Sequence, residues 1–156
     1  MVRSTAMTIM LVVVLASSGG LGAVRIATAN LNRFGCGGTD CRDARLSELA
    51  RILCQYDVVA CQEVMRASEG GRKCYGCAGA TCQVDKLLQL MDVASGVEWL
   101  CRLSSVFRYG TRYEHCAILY NSSVVTGTGR EGTVNEIPDS PVFDVRPPFW
   151  ASYRAG

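Results

Sequence analysis

The chain has 156 residues, enough for one domain or most of one, and 49% of them are apolar, so a hydrophobic core is within reach and wholesale disorder is excluded. A net charge of +2 excludes nonspecific nucleic-acid binding through sheer positive charge. A single His excludes a zinc site built from several imidazoles, and nine Cys are too many for an ordinary cytosolic domain.

Met1 to Ala23 has the pattern of a secretory leader. Arg3 supplies a positive start, Met7 to Leu15 is an apolar run, and small residues follow from Ala16 to Gly20. The run is too short to span a bilayer, which takes about 20 apolar residues, so no transmembrane anchor is expected. The competing reading is a buried N-terminal segment. A leader predicts a secreted, extracellular protein, which fits the cysteine usage.

The rest, residues 24–156, reads as one domain. Val24 to Leu31 alternates around β-branched and small residues and predicts a strand. Cys41 to Gln55 predicts a helix, with Ala44, Leu46, Leu49, Ile52 and Leu53 as its apolar stripe. Asp57 to Val64 predicts a second, buried strand. Ala67 to Thr81 is a Gly/Cys-rich insertion. A second helix is predicted over Val84 to Val93, and strands over Val97 to Ser104 and Glu114 to Tyr120. Val124 to Thr128 is expected to pair with the last of these across Asn121-Ser122. Phe143 to Tyr153 predicts a final strand. Strands alternating with helices point to an α/β fold with a mixed sheet.

Cys36 and Cys41, and the cluster Cys74, Cys77 and Cys82, sit in Gly-rich polar stretches. Disulfides are the expected state, and zinc is the alternative, although three Cys lack an obvious fourth ligand. Cys61, Cys101 and Cys116 lie in apolar runs, where a thiol packs as a small hydrophobe. Trp99 and Trp150 read as core residues. Asn121-Ser122-Ser123 is a glycosylation sequon in a turn.

Two polar residues stand at predicted strand ends, Asn30 on the first and Glu63 on the second. Open α/β sheets bind ligands outside the carboxyl ends of their strands. An amide oxygen and a carboxylate are hard donors that suit Mg²⁺ or Ca²⁺.

The segment "IATANLNRFG" followed by "YDVVACQEV" resembles the opening of the endonuclease/exonuclease/phosphatase superfamily. "DKLLQLMD", "RYEHCAILYN" and "RPPFWASY" are similar, in order and spacing, to its deoxyribonuclease I-like branch. The resemblance implies half of a four-layer α/β sandwich: one mixed sheet with two flanking helices, forming the amino-terminal half of the domain. The inner face of that sheet is then expected to lack a covering layer. It also implies a metal-dependent phosphodiesterase, an endonuclease acting on DNA or another phosphodiester, with Mg²⁺ and possible use of Ca²⁺ or Mn²⁺. By the same resemblance Asn30 belongs to the metal and phosphate site, Glu63 ligates the metal, Glu114 orients a catalytic His, and Arg146 contacts substrate phosphate.

Asn32, Met65 and Arg112 stand where that branch has DNA-contacting Arg, Arg and Tyr residues. The branch's two catalytic His have no counterpart in this sequence. Its one His, His115, neighbours Glu114 on a strand and is expected to face the other way. The chain is therefore expected to be inactive alone: either a truncated enzyme, or a half-domain that pairs with a complementary half or with itself. The alternatives are another branch (a sphingomyelinase, an inositol-phosphate phosphatase or a distending-toxin-like nuclease) or a non-catalytic, cysteine-stapled extracellular binding module.

Overall fold

The computed structural model describes residues 9–15, 23–34, 43–65, 74–75, 83–104, 107–109, 112–133 and 148–156. In chain order these form β1 (Ile9–Leu15), β2 (Val24–Phe34), α1 (Asp43–Leu53), β3 (Val58–Met65), β4 (Cys74–Tyr75), α2 (Gln83–Ser95), β5 (Trp99–Leu103), β6 (Phe107–Tyr109), β7 (Arg112–Asn121), β8 (Val125–Thr133) and β9 (Phe149–Ala155). The first seven strands make one mixed sheet in the order β1-β2-β3-β7-β5-β4, with β6 added beside β7.

Two parallel pairs set the architecture. β2 runs parallel to β3 and β4 parallel to β5, with α1 and α2 as the respective crossovers. A parallel pair needs such a connection, because a tight hairpin can only reverse the chain. Both helices pack on one face of the sheet. Leu46, Leu49, Ala50 and Leu53 of α1 meet Val84, Leu87, Leu88 and Met91 of α2 over Ala27, Ala29, Val59, Cys61, Trp99, Cys101, Ala117 and Leu119 of the strands. The strand contributors are alternate residues, as a pleated strand requires. α2 ends where Gly96 takes φ +73° and its N–H donates to the Asp92 carbonyl at 2.8 Å, a left-handed helix stop that glycine adopts without strain.

The predicted sheet with two flanking helices is present. The opposite face of the sheet differs from expectation. β8 does not pair with β7; it pairs antiparallel with β9 as a separate two-stranded ribbon. Val125 of the ribbon packs on Val58, Ile118 and Tyr120, with Ile26, Leu100, Phe149 and Tyr153 closing the cluster. These sheet residues are out of phase with the helix-facing set. The face expected to be bare is therefore covered at this end, because leaving Ile118 and Tyr120 in water would cost more than carrying the chain out of the sheet. The turn at 122–124 is real, since the Val124 N–H donates to the Asn121 carbonyl at 3.1 Å, but it leads into a second layer. The Arg102 to Glu131 ion pair, at 3.5 Å, joins sheet and ribbon.

The two Trp residues part company. Trp99 is fully buried, its indole N–H donating to Ser95 Oγ at 3.0 Å. Trp150, also expected in the core, is 47% exposed. It alternates with Phe149 and Ala151, which face the sheet, so its own side must face outward.

β1, β4 and β6 were not foreseen. β1 lies in the expected leader and forms the outer edge of the sheet beside β2. Cys61 and Cys101 are buried among apolar side chains, as their surroundings in the sequence implied, and Cys116 is half-buried. Burial, with a smaller contribution from Cys116, pushes the Cys61 thiol up to about 12. Cys36, Cys41, Cys77 and Cys82 lie outside the described residues, as does the side chain of Cys74.

Candidate functional site

Asn30 and Glu63 come together. Asn30 Nδ2 donates to Glu63 Oε1 at 3.1 Å across the parallel β2/β3 pair, and both residues are half-buried. Asn30 does not close its strand, which runs on to Phe34. It is the last residue in regular register with β3, opposite Gln62, before the pairing shifts.

Glu63 reaches this position through an irregularity. In the β3/β7 ladder Cys61 pairs with Ala117 and Val64 with His115, so β3 spends three steps where β7 spends two. Strict alternation from Val59 and Cys61 would turn residue 63 toward the helices. The extra residue resets the phase, and Val64 takes the buried place instead, at 2% exposure. Glu63 then falls on the face that Asn30 shares, by alternation, with Ile26. The adjustment is local: Glu63 has φ 57°, a left-handed conformation unusual for a residue with a side chain. Such outliers cost energy and persist where neighbouring structure holds them. The buried flanks Cys61 and Val64, together with the Asn30 hydrogen bond, do so here.

The other named residues are placed as follows. Glu114 lies in β7, in register with Met65 of β3 and Phe107 of β6, two residues along β3 from Glu63; its side chain lies outside the described set. Arg146 lies outside the described residues altogether. His115 is buried, with Nδ1 2.8 Å from the Ser104 carbonyl oxygen. The Ser104 hydroxyl accepts the Cys116 N–H at 2.9 Å, so His115 belongs to a corner between β5 and β7. Alternation puts it on the face of Ala117 and Leu119, which pack toward the helices. It therefore faces away from the Asn30 to Glu63 pair. Among the described residues, no three His, Cys, Asp or Glu side chains gather into a cluster able to hold a metal.

At the other end of the same two strands sits a structural counterpart. Asp57, just before β3, is buried and accepts three hydrogen bonds from Arg25: from the backbone N–H at 2.7 Å, from Nε at 3.3 Å and from Nη2 at 3.1 Å. The hydrogen bond to Asp57 holds the Arg25 guanidinium above its ordinary range. This clamp sets the register of β2 against β3, and that register brings residue 30 beside residues 62 and 63. Sequence reasoning did not single out Asp57 or Arg25. The only signal was a charged residue at the start of each apolar run: Arg25 as the second residue of β2, and Asp57 directly before β3.

Comparison with known proteins agrees with the resemblance read from the sequence. A deoxyribonuclease of Thioalkalivibrio sp. (strain K90mix) is 30% identical over 156 residues, covering 99% of this chain and 37% of that protein. The solved structure of an endonuclease/exonuclease/phosphatase family protein from Leptotrichia buccalis C-1013-b matches with a TM-score of 0.51 at 18% identity, over 70% of this chain and 39% of that one. No family model matches the chain. The chain thus spans less than two fifths of either relative, and its fold is that of the endonuclease/exonuclease/phosphatase neighbour over the matched region.

Proposed function

We propose that this chain forms the amino-terminal half of an exported, metal-dependent phosphodiesterase of the endonuclease/exonuclease/phosphatase superfamily, acting on DNA. The observation that carries the reading is the Asn30 to Glu63 hydrogen bond at 3.1 Å, made on one face of the sheet by an irregular strand. The name of the Thioalkalivibrio relative favours DNA over sphingomyelin or inositol phosphates.

The pair fits a hard divalent cation. Glu63 Oε1 accepts from the Asn30 amide nitrogen, which orients the carboxylate. Mg²⁺ typically takes one or two carboxylates and keeps several waters, so a single oriented carboxylate with an amide nearby is a sufficient protein contribution. Glu63 would hold the ion, and Asn30 would orient Glu63 and offer its amide to the phosphate. Bound there, the ion would offset the negative charge that builds on the phosphate during cleavage. Arg146 would contribute a charged, fork-shaped contact to the same phosphate, and Glu114 would fix the tautomer of a catalytic imidazole.

That imidazole is not His115, which faces the helices and is the chain's one His. The chain by itself therefore binds cation and phosphodiester without cleaving, and cleavage draws on a base from outside it, such as a complementary half-domain. The leader at residues 1–23 directs export.

The test pairs binding with cleavage. Paramagnetic Mn²⁺ should broaden the NMR signals of Asn30, Gln62 and Glu63 selectively, and Glu63→Gln should abolish the effect. The wild-type chain should leave supercoiled plasmid intact in Mg²⁺. Mn²⁺ broadening that spares these residues would overturn the site, and robust nicking lost in Glu63→Ala would overturn the claim that the chain is inactive alone.

A further inference from the structure

The apolar stretch of the expected leader has a defined place in the folded chain. Ile9–Leu15 is the edge strand β1, antiparallel to β2, with Ile9 opposite Ala29, Met10 opposite Thr28, Leu11 opposite Ala27, Val14 opposite Arg25 and Leu15 opposite Val24. Its composition favours this use: Ile9, Val12, Val13 and Val14 are β-branched, and such side chains suit a strand better than a helix in water.

A leader works in the opposite state. Its apolar run must enter a membrane or a targeting groove, and in a bilayer every backbone polar group has to be satisfied within the segment. A lone strand cannot do that, so the segment must leave β2 and coil into a helix. The same N–H and C=O groups cannot serve the β2 ladder and a helix at once. Folding and membrane engagement therefore compete for one set of backbone groups.

We propose that Ile9–Leu15 is a two-state segment, a strand on the edge of β2 in the folded chain and a helix at the membrane during export, and that the first state closes off the second. This rests on the leader reading proposed above. The folded full-length chain withholds its own leader, so export has to precede folding. Once the leader is removed, no strand among the described residues covers the outer edge of β2 from Val24 to Ala29, next to Asn30.

The experiment uses the full chain in two preparations: folded beforehand, or diluted from urea directly into the assay. Each meets a leader peptidase reconstituted in phospholipid vesicles, and mass spectrometry follows loss of the leader. The chain diluted from urea should be processed roughly tenfold faster or more, since the folded chain reacts only through local opening of β1. Hydrogen exchange on the folded chain should show Ile9–Leu15 amides protected alongside those of β2. Equal processing rates, or rapid exchange across Ile9–Leu15 in the folded chain, would overturn the proposal. Failure of both preparations to be cleaved would overturn the leader reading itself, and this proposal with it.

Discussion

Glu63 meets Asn30 because β3 carries one residue more than β7 between Cys61 and Val64. The surplus residue turns a side chain that alternation would have buried onto the face of Asn30, and it is absorbed by a left-handed backbone at Glu63, φ 57°. The site is thus made by a break in the strand rather than by its regular continuation.

That backbone conformation yields a stability prediction with a defined sign. Glu63→Ala and Glu63→Gly both lose the hydrogen bond to Asn30. Only the glycine also relieves the Cβ clash of the left-handed region, worth about 1 kcal/mol. In urea unfolding, Glu63→Gly should therefore be the more stable of the two by about that amount. If the alanine variant is the more stable, residue 63 is not held at positive φ.

The buried thiol of Cys61 sets an alkaline limit. Its pKa rises from an ordinary value near 9 to about 12 in the folded chain, chiefly because burial disfavours the thiolate. The folded state therefore holds a proton that the unfolded chain releases between these values. The stabilising contribution is complete below about pH 9 and falls as pH climbs toward 12. Tyr153, whose hydroxyl is also pushed up by burial, steepens the upper part of the same limb. Cys61→Ala should have a lower melting temperature at neutral pH and a visibly shallower alkaline decline. An unchanged alkaline slope in that variant would show that the thiol titrates alike in both states.

The two tryptophans should separate cleanly. Trp99 is fully enclosed between the sheet and the helices, and its truncation to Ala should cost about 3–5 kcal/mol. Trp150→Ala, at a half-exposed position, should cost about 1 kcal/mol or less. With only two Trp in the chain, acrylamide quenching of intrinsic fluorescence should report Trp150 almost alone. Comparable quenching of the Trp150→Ala variant would contradict the enclosure of Trp99.

The elements that were legible in the sequence are those whose information is local. The 3.6-residue stripe of Leu46, Leu49 and Leu53 marked α1, and the runs 24–31 and 57–64 marked two strands within a few residues of their observed limits. Asn30 and Glu63 stood out as polar residues closing apolar runs. Their meeting was expected, but its means was not. Alternation is a property of one strand, whereas a surplus residue exists only relative to the partner strand, and the spacing of Cys61 and Val64 by three was its sole trace.

The sequence by itself determined the helices, the principal strands and which residue types could serve a hard cation, because side-chain periodicity and chemistry are carried within each segment. Only the tertiary structure decided that β8 leaves the sheet to pair with β9, that Trp150 faces outward while Trp99 is enclosed, and that Glu63 turns to Asn30. Each of these depends on which surfaces lie opposite one another. A turn after Asn121 permits either a hairpin or a change of layer, and the apolar face of Val58, Ile118 and Tyr120 selects the second because burying it is worth more than extending the ladder.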